Sequence, residues 1–329
     1  MEERENYDWL RVVASGAAVL LHICAKVINN YQFSDRGSVL MGLLVSSMTR
    51  FVVPLFIMIS GAIFLGKSYR WEGGKVFLRK RMGRILPALI FWNIFYFLVF
   101  NRGSLVSGLE TFWKYSQTYY HLYYLMVALG LYAVTPILRI IKNKKFALVV
   151  SLTFCFIYIL GYYLAWWRKA DWPIVIFVPY IGYYLLGNLL EKIKIRKIYL
   201  LVVVALGLLM FAVNSHALYL HGATDGGQIA FDRLWPWVGL QAVAVFLAIK
   251  NLKKNKLGRL VKVLGEVSFG VYLIHPLITD LVLKQKNSFM GVGMTFWWIV
   301  SQWLMAWGLS VLLVLMLKRL SLIKVVVGG

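Results

Sequence analysis

Ionisable side chains inside apolar runs are the first place to look for chemistry. Each is costly in hydrocarbon and so faces a bundle interior or a cavity. The earliest such set is Arg11 and His22, eleven residues apart in one apolar run. At 3.6 residues per turn that spacing puts both on one helical face, about 16 Å apart along the axis. Ser15, Ala18 and Lys26 fall on the same stripe, whereas Leu10, Val13, Leu20 and Ile23 fall outside it. A stripe this small or polar lines a cavity or packs closely on a neighbouring helix. Late in the chain, Ser268, Tyr272, His275 and Thr279 repeat the device at spacings of four, three and four. Counted from the inner ends of their runs, His22 lies about 20 Å in and His275 about 18 Å in, so the two rings are able to share a layer. Imidazole and guanidinium groups so placed offer proton transfer or the holding of an anion, in an enzyme or in a transporter.

Other polar residues have plainer readings beside them. Arg50, directly before Phe51-Val52-Val53-Pro54, is either an interfacial anchor that snorkels or a positive charge for an anionic acceptor. His121 and His275 serve equally as hydrogen-bonding ties between helices, and His216 and His221 read as loop residues. Arg79-Lys80-Arg81 with Arg84 is at minimum a topology signal. The two cysteines, Cys24 and Cys155, lack any metal-ligand or redox spacing and read as apolar packing residues. No metal is expected, and no Walker loop or dinucleotide-binding glycine pattern is present.

The elements that must position these groups follow from composition. Of 329 residues, 60% are hydrophobic and only 15% charged, with 36 Lys plus Arg against 13 Asp plus Glu and a net charge of +23. A water-soluble domain is about 45–50% apolar and about 25% charged. Nucleic-acid binding is excluded too, since basic arms are not interleaved with long apolar runs. The chain is expected to be an all-α, polytopic integral membrane bundle forming a single domain over 1–329. Ten runs are long enough to span: 8–28, 40–66, 84–100, 121–141, 146–167, 172–190, 198–214, 233–250, 263–283 and 294–317. The second is too long for one straight crossing, and Pro54 is its expected kink. The first carries Asp8 and Arg11 and lacks a small-residue cleavage site, which favours a retained span over a signal peptide.

The cations sort by side. Most follow the second, fourth, sixth, eighth and tenth runs, as in Lys67–Arg84, Arg139–Lys145, Lys192–Lys197, Lys250–Lys262 and Lys318–Lys324. The opposite loops hold few, among them Arg102, Lys114, Arg168 and Lys284. The positive-inside rule therefore predicts both termini in the cytoplasm. The 19 Tyr and 13 Trp read mainly as interfacial belts.

Five motifs, in order along residues 7 to about 280, resemble the acyltransferase-3 family of bacterial membrane acyltransferases. Tyr7-Asp8-Trp9-Leu10-Arg11 followed by His22 matches its Arg-x10-His signature. Phe51 to Gly61 resembles its second-span motif, and Arg81-Met82-Gly83-Arg84 its cytoplasmic Arg-x-x-Arg. His121-Leu122-Tyr123-Tyr124-Leu125 with Leu131 to Pro136 resembles its fourth-span pattern, with Tyr123 where Trp is common. Ser268 to Pro276 resembles its late signature. The resemblance implies ten spans, an acyl-CoA donor (usually acetyl-CoA) and O-acylation of an extracytoplasmic carbohydrate. Some relatives carry a fused SGNH esterase-like domain; this chain is expected to be of the short stand-alone type. Its expected setting is the bacterial cytoplasmic membrane. Its expected partners are membrane lipid, the CoA donor and a cell-surface glycan or lipid-linked sugar, with a separate extracellular transferase or a homo-oligomer left open.

On that resemblance, Arg81 and Arg84, with Arg11 beside them, are the candidates for holding the donor phosphates. His22 is the candidate general base toward the acceptor hydroxyl, or an acyl-histidine relay. Asp8 is expected to pair with Arg11 or with the Arg81/Arg84 cluster. Arg50, Tyr272 and His275 are candidates for orienting His22 or stabilising an oxyanion. Transport of a polar solute or lipid-linked sugar is the rival reading. Few intramembrane acids and no paired discontinuous runs count against it.

Overall fold

The computed structural model describes residues 2–29, 36–66, 71, 73–100, 118–163, 176–191, 193, 205, 208–209, 212, 236–252, 258–283 and 291–328. Among them there is no strand, and the fold is all-helical. The helices are α1 (Glu2–Asn29), α2 (Arg36–Thr49), α3 (Val52–Leu65), α4 (Gly74–Phe100), α5 (Tyr123–Leu138), α6 (Lys144–Tyr163), α7 (Ile181–Glu191), α8 (Pro236–Lys250), α9 (Gly258–Val282), α10 (Gly291–Leu317) and α11 (Ser321–Lys324). Five stretches among the described residues are long and apolar enough to cross a membrane: Asn6–Ile28, Gly37–Leu65, Gly74–Phe100, Gly258–Val282 and Met294–Leu317. Shorter apolar helices cover parts of other expected runs, as at Tyr123–Leu138 and Pro236–Lys250. The seventh run, 198–214, lies almost wholly outside the described residues, as do His216 and His221.

Two boundaries move for physical reasons. The second run breaks at Arg50–Phe51, one turn before Pro54. Proline has no amide hydrogen and its ring clashes with the carbonyl four residues earlier, here that of Arg50. In the first turn of α3 the missing donor is harmless. The third run starts ten residues before residue 84, so Lys75, Arg79, Lys80, Arg81 and Arg84 lie on α4 rather than in a loop. Lysine and arginine are good helix formers, and their long stems let the charges leave the apolar layer.

Lipid-facing surface shows as exposed apolar ridges. On α4, Ile90, Ile94 and Leu98 are 58%, 55% and 65% exposed at four-residue spacing, while Ala88, Leu89, Trp92 and Tyr96 are buried. On α10 the exposed ridge is Met305, Leu309, Leu312 and Met316. Bands of this kind suit contact with hydrocarbon.

The chain forms two compact units. Unit one is Met1–Phe56 with Lys194–Leu317, and unit two is Ile57–Ile193 with Lys318–Gly329. In unit one, α1 packs on α2, α8, α9 and α10, and α10 also packs on α2 and α9. In unit two, α4 packs on α5, and α6 and α5 both pack on α7. Asn143 starts α6 locally, its Oδ1 accepting the amides of Lys145 at 2.9 Å and Phe146 at 3.2 Å.

Candidate active site

The two polar stripes meet. Along α1 and α9, Asp8 lies against Gly265, His22 against His275 and Lys26 against Asp280, in ascending order, so the helices run in the same direction. Small residues at the inner crossing permit the approach. A Cβ on Gly265 would lie 2.8 Å from Asp8 Cβ and 2.9 Å from its Cα. Ser15 and Ser268, both buried, return their hydroxyls to their own helices, donating to the Val12 and Gly265 carbonyls at 3.0 and 2.8 Å. Of the two outcomes open to the α1 stripe, close packing on a neighbour is the one observed at these positions.

The expected histidine layer is present. The His22 and His275 rings lie 5.1 Å apart, 27° from parallel. His275 is fully buried, at 0% exposure, whereas His22 is half-buried and is the accessible member. His275 Nδ1 donates to the carbonyls of Tyr272 at 2.8 Å and Val271 at 3.2 Å. Tyr272 flanks the stack, its ring 5.8 Å from that of His275 and edge-on to Phe56 at 6.0 Å.

Charges close both ends of this helix pair. At the inner end, Arg11 Nη1 donates to Asp8 Oδ1 at 2.8 Å, one of the two partners expected for Asp8. Lys262 and Glu266 of α9 are close enough to act on the same carboxylate. At the outer end, Lys26, one turn beyond His22, pairs with Asp280. Asp280 was missed in the sequence; the available signal was an acid immediately after Thr279 in an apolar run. Arg50 sits at the α2–α3 break, donating to Ser46 Oγ at 3.0 Å, and its charge reaches Cys24, two residues beyond His22. Among the described residues no group of three or more His, Cys, Asp or Glu is placed to hold a metal ion.

His22 and His275 thus stack across two parallel helices, with the Arg11–Asp8 pair toward their inner end. Over residues 4–319 the sequence matches the pattern of the acyltransferase domain family, acyltransferase 3. The chain belongs to the acyltransferase-3 family. It is a multi-pass membrane acyltransferase. No curated protein and no solved structure matches it.

The remaining candidate residues of this acyltransferase lie in unit two. Arg81 and Arg84 share α4 but turn to different neighbours. The Arg81 guanidinium lies over Phe64, 4.4 Å from the ring centre, and 5.9 Å from that of Phe77. Arg84 Nη2 donates to the Gly328 carbonyl at 2.7 Å, and Trp92 Nε1 to that of Val326 at 2.9 Å, so the two hold the segment after α10. Arg139, which the motif reading passed over, joins the Arg81 group. It lies over Trp71 at 4.5 Å and donates to the Phe64 carbonyl. His121 is buried in an aromatic cluster, with ring centres of Tyr96, Tyr119 and Tyr120 at 5.0, 5.7 and 5.6 Å.

Proposed function

We propose that this family member is an O-acyltransferase of the bacterial cytoplasmic membrane. In this reading it takes an acetyl group from cytoplasmic acetyl-CoA and gives it to a hydroxyl of an extracytoplasmic glycan or lipid-linked sugar. The observation that carries the reading is the stack of an accessible His22 on a buried His275 within two spanning helices.

His22 acts as general base. It takes the proton of the acceptor hydroxyl while that oxygen attacks the thioester carbon. The tetrahedral adduct then collapses, the carbon–sulfur bond breaks, and the CoA thiolate leaves, taking the proton back from the imidazolium. The neutral face of His275 supports His22 while it carries the proton, because two charged rings at this separation would repel. Arg11 keeps Asp8 neutralised at the inner end of α1. Arg81 and Arg84 supply fixed cations for the donor phosphates, and the positive-inside topology of the sequence puts them on the side where acyl-CoA is found.

The test is acetyl transfer from labelled acetyl-CoA by the full chain in membrane vesicles, with mass spectrometry of surface glycans from cells with and without it. His22→Ala is expected to fold, insert and lose transfer by about 10²–10⁴-fold, the contribution of a general base. Undiminished transfer would sink the assignment. A trapped acyl-imidazole on His22 would replace base catalysis by the covalent relay. Arg81→Ala and Arg84→Ala are expected to raise the KM for acetyl-CoA; an unchanged KM would reduce both to structural and topological roles.

A further inference from the structure

The residue that follows His275 explains how its ring is held. In a helix, the amide of residue 276 would donate to the carbonyl of Tyr272, four residues earlier. Residue 276 is proline, inside the continuous α9, and has no hydrogen to give. The Tyr272 carbonyl is thereby released in a buried, apolar stretch, where an unsatisfied acceptor is costly. His275 Nδ1 lies 2.8 Å from that oxygen and takes the vacant place, with the Val271 carbonyl as a second acceptor at 3.2 Å. Thr279 braces the same turn, its hydroxyl donating to the carbonyls of His275 and Pro276.

Carbonyl oxygens only accept, so the proton of the neutral ring must sit on Nδ1 and the lone pair on Nε2. We infer that Pro276 is a positioning residue for the acyl transfer. By removing one backbone donor it fixes His275 as the Nδ1–H tautomer, presenting one defined face to His22 and one basic edge, Nε2. With an ordinary residue at 276, a backbone amide competes with the ring for the Tyr272 carbonyl. The shorter of the ring's two bonds is then weakened, so the ring rotates and exchanges tautomers more readily and gives His22 a less fixed neighbour. This inference rests on the reading of the histidine pair as the proton-transfer centre, but its first measurement is independent of turnover.

That measurement is nitrogen NMR of the full chain with isotope-labelled histidines in lipid nanodiscs, the His275 signals being identified by their loss in His275→Gln. The native protein is expected to show His275 with a protonated Nδ1 and a bare Nε2; a ring protonated at Nε2 instead would overturn the inference with no substitution needed. Pro276→Ala, which restores the amide hydrogen, is expected to yield a mixture of tautomers. Its kcat is expected to fall about tenfold with the KM for acetyl-CoA unchanged, as for a residue acting through the reacting pair. Retention of the single Nδ1–H form in that variant, or native kcat alongside mixed tautomers, would overturn it. Full transfer by His22→Ala would remove the base assignment while leaving the native nitrogen signals as they are, so the two failures are distinguishable.

Discussion

The α1–α9 crossing of unit one and the α3–α7 crossing of unit two both bring helices unusually close, and they use the closeness differently. In unit two the contact is backbone on backbone. A Cβ on Gly61 would sit 1.8 Å from the Tyr184 carbonyl oxygen, and one on Gly187 would sit 2.0 Å from that of Met58. The glycines let the helices touch. In unit one only the inner end is made that way, by Gly265 against Asp8. Above it come the histidine stack and the Lys26–Asp280 pair, so polar side chains meet in the outer part of the crossing. Without a hydrophobic force between helices in lipid, close packing supplies cohesion in the first case, and hydrogen bonds and charges set register in the second. The first arrangement holds a bundle together. The second also presents groups that can exchange a proton.

Substitutions ranked by expected effect test that contrast. Gly61→Leu or Gly187→Leu must force the α3 and α7 backbones apart, at about 3 kcal/mol or more. Thermal unfolding in detergent should show a large loss for either; a native melting point would mean the crossing adapts freely. Gly265→Ala meets mainly the Asp8 side chain, which has some freedom, so about 1–3 kcal/mol is expected. It should also lower transfer by turning Asp8 and moving His22 against His275, whereas full activity would separate the glycine from the histidine layer. Lys26→Met leaves the Asp280 carboxylate without its cation; for a pair of 32% and 16% exposed side chains, about 1–2 kcal/mol is expected. The exchange Lys26→Asp with Asp280→Lys should recover stability and transfer if the pair sets register. Recovery of stability alone would assign the two charges to the acceptor. Ser38→Ala removes the 2.6 Å bond to Thr295 between α2 and α10, and about 0.6 kcal/mol is expected, the typical worth of such a bond in a bilayer.

How much of this was legible in the sequence differs by residue. Arg11 and His22 announced themselves because charged and titratable groups are rare in spans, and eleven residues is three helical turns. The His275 stripe was legible by the same periodicity. Gly265 was not: a glycine in a helix has many uses, and only the neighbouring Asp8 shows which one applies. Arg84 was readable as a cation of the inner side but not as the residue that holds the Gly328 carbonyl. The start of α4 was misplaced because hydropathy marks the apolar layer, while the helical ladder continues through the basic residues before it.

Composition and periodicity by themselves determined the helical class, the membrane setting and the polar stripes, because these depend on local sequence and on transfer of side chains between water and hydrocarbon. Only the tertiary structure decided which stripe faces which. It paired His22 with His275 and Lys26 with Asp280, residues some 250 positions apart, through the packing of α1 on α9. Pro276 belongs to both accounts. Its missing hydrogen is written in the sequence, but the ring nitrogen that takes the released carbonyl is defined only by where the His275 side chain lies.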